Sequence, residues 1–297
     1  MSFTTNLLTL AELFPTVILA FWIALALCIG SFLNVVIYRL PIMLQNQWRT
    51  ECQSFLEIEP ELAQKSPERF NLMVPRSRCS SCKSLIPAWC NIPLISWLIL
   101  RGKCRTCKAA ISIRYPLVEL GCAILAFACY IHFGFSSQLI WASLFCWLML
   151  SLALIDFDTM YLPDQITLPL LWLGLLLNLD QQFVALTDAV LGAAVGYMSL
   201  WCLFWVFKLL TGKEGMGYGD FKLFAVIGAW FGWQALPLTI LLASAVGAIV
   251  GISLLLRKSI SGQQAIPFGP YLAIAALINL FWGGLIVDWY LSVSGLV

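Results

Sequence analysis

The chain has 297 residues, of which 61% are hydrophobic and 11% charged, with a formal net charge of +2. A soluble globular domain carries about 25% charged residues, so the composition excludes a soluble enzyme and leaves a multi-span membrane protein. The single histidine, His132, and the lack of a GxxxxGK[ST] stretch exclude an HExxH zinc protease and a P-loop site.

A spanning helix needs about 20 mostly apolar residues. Eight runs are candidates: 15–37, 115–134, 138–155, 165–179, 186–207, 221–236, 237–256 and 268–290. The expected fold class is therefore an all-α polytopic membrane protein of about eight transmembrane helices, with a small domain between the first and second. The first run lacks a basic n-region and its basic flank, Arg39, follows it, so it reads as a retained span rather than a removable leader. Twelve of the 17 Lys and Arg lie between Arg39 and Arg114; Lys208, Lys213, Lys222, Arg257 and Lys258 follow the fifth and seventh runs. With eight spans all of them fall on one face, which the positive-inside rule makes cytoplasmic. Both termini then lie on the opposite side.

Residues 38–113 form the one long polar segment, and divide the chain into a first span (1–37), a cytoplasmic domain (38–113) and a membrane domain (114–297). The segment carries two similar knuckles, RCSSCK and KCRTCK, with Cys79, Cys82, Cys104 and Cys107. Each CxxC turns two sulfurs toward one centre, and two such turns complete a tetrahedral, structural Zn2+ site. Neighbouring Lys and Arg favour thiolates, and a cytoplasmic location disfavours disulfides. Cys90 is a spare thiol near this set. The remaining six cysteines are scattered and read as packing residues. Glu51, Glu57, Glu59, Glu61 and Glu68 crowd the first half of the segment, and no aromatic ladder follows, so nucleic-acid binding is not expected.

With His132 at the outer end of the second run, the available chemistry is that of aspartate. IDFDTMYLPD (155–164) follows the third run, and GMGYGD ends in Asp220 at the start of the sixth. Both stretches belong at the cytoplasmic end of a span, where an ionisable group is costly and points to function. Asp158 and Asp164 also read as turn or cap residues. Asp220 differs, because the glycines before it permit close approach and a helix N-terminus stabilises a carboxylate. Two carboxylates at hydrogen-bonding distance share a proton: one activates water while the other hydrogen-bonds a scissile carbonyl.

Taken together, GSFLNVVIYRLP (30–41), the paired CxxC knuckles, RYPLVEL (114–120), IDFDTMYLPD, GMGYGDFK and PFGPYLA (267–273) resemble the type IV prepilin peptidases, the GxGD-type leader peptidases and N-methyltransferases. The resemblance covers nearly the whole chain in matching order. It implies cleavage of prepilin and pseudopilin leaders at the cytoplasmic face of the bacterial inner membrane, followed by methylation of the new N-terminal residue with S-adenosylmethionine. It implies Asp156 and Asp220 as catalytic residues, with Asp158 next in rank, and the four cysteines as the family's tetrad. Glu57, Glu59, Glu61 and Glu68 either attract the basic leader or form a solvated acidic face. The chain has no GxGxxG after a predicted strand, so no methyl-donor residues are assigned. Two other readings remain: a peptidase without methyl transfer, and a proton-coupled transporter. The sequence shows no internal repeat to support the second.

Overall fold

The computed structural model describes residues 13–56, 70–79, 81–256 and 266–295. Glu57, Glu59, Glu61, Glu68, Arg257 and Lys258, which carry parts of the leader-attraction and orientation expectations, lie outside the described residues. Among the described residues there are nine α-helices and no strand. They are α1 (Pro15–Phe55), α2 (Ile95–Ile99), α3 (Arg114–Phe133), α4 (Ser137–Thr159), α5 (Asp164–Leu177), α6 (Leu186–Thr211), α7 (Tyr218–Phe231), α8 (Ala235–Leu256) and α9 (Gly269–Ser294).

A helix stands within a few residues of each of the eight apolar runs. Six of these helices, α1, α3, α4, α6, α8 and α9, are long and apolar enough to cross a bilayer, which marks a multi-pass membrane protein. The other two depart from the expected eight spans. At 14 residues each, α5 and α7 reach only about 21 Å, against a hydrocarbon layer of about 30 Å. The apolarity of α7 has a different origin. In α7 every residue from Asp220 to Trp230 except Lys222 is buried, so protein replaces lipid around it. Gly232, at φ +78°, stops that helix.

The chain divides into two compact units, one up to Trp147 and one from Leu148 onward. In the first, α1 buries Ala26, Gly30, Leu33, Ile37, Leu40 and Leu44 at alternating three- and four-residue spacing, the signature of one helix face. It packs along α3, and Asn34 Nδ2 donates across to the Tyr115 carbonyl at 3.1 Å. With 41 residues, α1 is about 61 Å long and continues well past the predicted end of the first span. Arg39, on α1, donates to the carbonyls of Asn71 and Pro75 at 2.9 and 2.7 Å and so ties the stretch that leads into the cysteine knuckles to the helix.

In the second unit α7 is the central element, contacted by α5, α6, α8 and α9. Gly192 of α6 and Gly228 of α7 meet backbone to backbone; a Cβ on either would overlap the other's carbonyl. Asn178 fixes the far end of α7. Its Nδ2 donates to the Ala229 and Trp230 carbonyls at 2.9 and 3.2 Å, and its Oδ1 accepts from the Phe183 and Val184 N–H groups, both at 3.1 Å. All four contacts are buried or part-buried, which makes this one amide the hub of the loop between α5 and α6. Trp230 adds a 2.8 Å bond from Nε1 to the Leu170 carbonyl of α5.

Candidate active site

The helix α4 runs to Thr159, so Asp156 sits in its last turn rather than in a loop after it. Asp156 is 5% exposed, whereas Asp158, two residues on and turned to the other side of the helix, is exposed. Asp220 is 7% exposed in the first turn of α7, and its own N–H donates to the Gly217 carbonyl at 3.2 Å. Both carboxylates are thus withdrawn from solvent in the same unit.

Two further residues complete the site. Gly269 opens α9, and its N–H donates to Asp156 Oδ2 at 3.0 Å. That N–H is one of the donors a helix start leaves without an intrahelical partner, and Pro270 behind it has none to offer. A Cβ at Gly269 would lie 2.7 Å from Asp156 Oδ2, so only glycine lets the α9 backbone come this close. Leu162, 5% exposed, sits between the two sides. A Cβ at Gly219 would fall 2.8 Å from Leu162 Cβ, and one at Gly269 would fall 3.3 Å from Leu162 Cδ1. The Asp220 segment, Leu162 and the Gly269–Asp156 pair therefore form one continuous contact. Beside it, Lys222 Nζ of α7 bonds both oxygens of Asp164, the first residue of α5, at 2.7 and 2.8 Å. Asp164 is a helix-start residue, as one reading of the sequence expected, and also an ion-pair partner. Neither Gly269 nor Leu162 was singled out beforehand. PFGPYLA was noted as a motif, but its hydrogen bond depends on a partner 113 residues away.

In the first unit Cys79, Cys82, Cys104 and Cys107 converge, their sulfurs all within 4.8 Å of one another. The two knuckles are the same structure offset by 25 positions. Cys79 N–H donates to the Ser84 carbonyl and Cys104 N–H to the Ala109 carbonyl, at 3.0 and 2.8 Å. Lys83 and Lys108, each following the second cysteine, both take positive φ, 57° and 60°. The bridges Arg78–Leu85 and Lys103–Ala110 repeat the offset. Four sulfurs at Zn–S distances of about 2.3 Å in a tetrahedron stand about 3.8 Å apart, and Cys79 Sγ and Cys107 Sγ are 3.7 Å apart. The sulfur environments are uneven. Hydrogen bonds from the Ser84 side chain and backbone lower the Cys82 thiol to about 6. Cys107 is pushed up to about 11: the Ala109 backbone pulls it down, but Cys82, burial and the other two cysteines outweigh that. A cation bound among them would let all four be thiolates together. Cys90 is not part of the cluster. His132 is exposed at the end of α3, its ring edge-on to Phe133 with centroids 4.6 Å apart.

Two family models match the chain. The family model described as "Type IV leader peptidase family" matches residues 143–252, a span that includes Asp156 and Asp220. A second, "Bacterial Peptidase A24 N-terminal domain", matches residues 24–133, which include the cysteine cluster. A protein of Aeromonas hydrophila is 54% identical over 96% of this chain and 98% of its own. The chain belongs to the type IV leader peptidase family. A relative from Stutzerimonas stutzeri is 54% identical over 92% of this chain and 94% of its own, and one from Pseudomonas aeruginosa is 53% identical over 92% and 93%. All three relatives carry the name prepilin leader peptidase/N-methyltransferase. No solved structure matches the chain.

Proposed function

We propose that the chain is a bifunctional membrane enzyme that removes the leader of prepilins and pseudopilins and then N-methylates the exposed residue. Asp156 and Asp220 are the peptidase dyad. The observation that carries this is the burial of both carboxylates in one unit, joined through the Leu162 contact, with Asp156 Oδ2 held against the Gly269 backbone. One carboxylate takes a proton from the attacking water, and the other, protonated, hydrogen-bonds the scissile carbonyl. The N–H of Gly269 holds Asp156 Oδ2 in place, which leaves its second oxygen for chemistry. Asp158, exposed on the other side of α4, takes no part.

Domain limits of 1–37, 38–113 and 114–297 follow from the same reading, with the methyl-transfer function associated with the middle segment. Its tetrad holds Zn2+: sulfur spacing and donor set suit that ion, and four thiolates leave no position for a reacting water, so the metal is structural. S-adenosylmethionine supplies the methyl group. Among the described residues the only β-pairings are two isolated bridges, which offer no Rossmann turn for the donor. We further propose eight crossings of the bacterial inner membrane, with α5 and α7 as short ones and α7 enclosed by protein. The basic loops and the dyad then face the cytoplasm, where a prepilin's basic leader remains by the positive-inside rule, and both termini face the periplasm.

The deciding experiment measures two reactions on one set of variants. Asp156→Asn and Asp220→Asn should each lower leader cleavage by about 10³-fold or more, while methyl transfer to an already cleaved pilin peptide continues. Cleavage retained by either variant removes the dyad. Absence of methyl transfer by the unaltered enzyme leaves a peptidase alone.

A further inference from the structure

The five-residue helix α2 exposes its apolar face. Ile95, Leu98 and Ile99 are 55, 65 and 75% exposed and, at spacings of three and four, share one side. Trp97 points the other way: its ring lies over Gly102, and its Nε1 donates to the Ile111 carbonyl at 3.4 Å. Trp89 and Ile92, just before the helix, are also exposed. Immediately after it come Arg101 and Lys103, both exposed. The whole stretch 70–113 carries seven basic residues (Arg76, Arg78, Lys83, Arg101, Lys103, Arg105 and Lys108) and no acidic one.

The depth of α2 follows from one hydrogen bond. Leu94, the residue before it, donates its N–H to Glu119 Oε2 at 2.8 Å. Glu119 is a buried residue of α3, 8% exposed and five positions inside the helix start. With 20 residues, α3 is about 30 Å long, the thickness of the hydrocarbon layer, so Glu119 lies about 7.5 Å below the helix's own end. At the other end of the hairpin, Ile111 N–H donates to the Gly102 carbonyl at 2.7 Å, three residues before α3 begins. The segment around α2 is therefore tied to α3 through Glu119, about 7.5 Å inside that helix's start, and closed on itself just before α3 begins.

We propose that α2 is an interfacial helix that seats the cysteine ribbon on the phospholipid leaflet, with Glu119 as its tether. Ile95, Leu98 and Ile99 enter the boundary between headgroups and acyl chains, and Arg101 and Lys103 meet lipid phosphates. Apolar residues beside cations at that depth match such a surface. The ribbon is then held in register with the membrane by lipid as well as by α1 and α3, independently of which reaction it serves.

The test uses the full chain in nanodiscs of phosphatidylethanolamine and phosphatidylglycerol, with a photo-reactive Ile99→benzoylphenylalanine substitution. A phospholipid adduct is expected on illumination. An adduct to an added prepilin peptide, an adduct only within the enzyme, or none at all would overturn the assignment. Amide exchange over residues 95–103 gives a second reading. The pair Leu98→Gln and Ile99→Gln should speed it about tenfold with bound metal unchanged, and neutralising Arg101 or Lys103 should speed it about fivefold each. Exchange that is the same in all variants argues against lipid seating.

Discussion

The two units handle polar groups in a lipid setting by opposite means. The unit from Leu148 onward buries two carboxylates 64 positions apart inside packed helices, and Asp156 takes its partner, the Gly269 N–H, from an element 113 residues away. The unit up to Trp147 gathers four sulfurs by local turns, the second a copy of the first 25 positions later, each closed by its own backbone hydrogen bonds. Distant assembly makes the dyad sensitive to packing anywhere around α7, while local assembly makes the ribbon depend on its four sulfurs and a few turn residues. A perturbation of either unit should therefore leave a recognisable signature.

The sharpest separation is expected from Cys79→Ser. Four thiolates share a metal-binding free energy of about 10–16 kcal/mol, so losing one should lower metal affinity by roughly 10²- to 10³-fold. Methyl transfer should fall with it while leader cleavage persists; metal content and both reactions, measured together, check this, and loss of cleavage to the same degree would erase the contrast. Next comes Gly269→Val, which drives a side chain into Asp156. A displacement of about 1 Å at a catalytic group costs roughly a hundredfold in rate, so leader cleavage should drop by that factor with bound metal unaltered. Asn178→Ala removes an amide serving four backbone groups and should cost about 2 kcal/mol, read as a lower unfolding temperature in detergent with the tetrad still loaded. The smallest effect belongs to Lys222→Met. Its pair with Asp164 is partly exposed, and such pairs contribute about 1 kcal/mol or less, so cleavage should change by no more than about fivefold.

The same contrast explains what was legible beforehand. Apolar runs located every long helix, because lipid imposes the same pattern whatever the packing. The lengths of α5 and α7 were not legible, since hydropathy does not distinguish a side chain facing lipid from one facing protein, and Trp230 and Phe221 look alike in either place. Asp156 was read near the end of a span, but its place inside α4 depends on the helix continuing three residues further to Thr159. The tetrad was readable from spacing alone because its geometry is local. Gly269 could not be read, since nothing near it in the chain announces a carboxylate 113 residues upstream. Glu119 was noted as an acid near a span end, but its role as an acceptor for Leu94 needs the folded hairpin.

The backbone contact of Gly192 with Gly228 has a mechanical meaning. It is a fulcrum, because no side chain intervenes to cushion a change of angle between α6 and α7. Asp220 lies eight residues along α7 from that point, an arm of about 12 Å. A tilt of about 5° there swings the carboxylate by about 1 Å, enough to disarm it. The aim of this acid is thus set at the far side of the helix that bears it, where two hydrogen atoms stand in place of side chains.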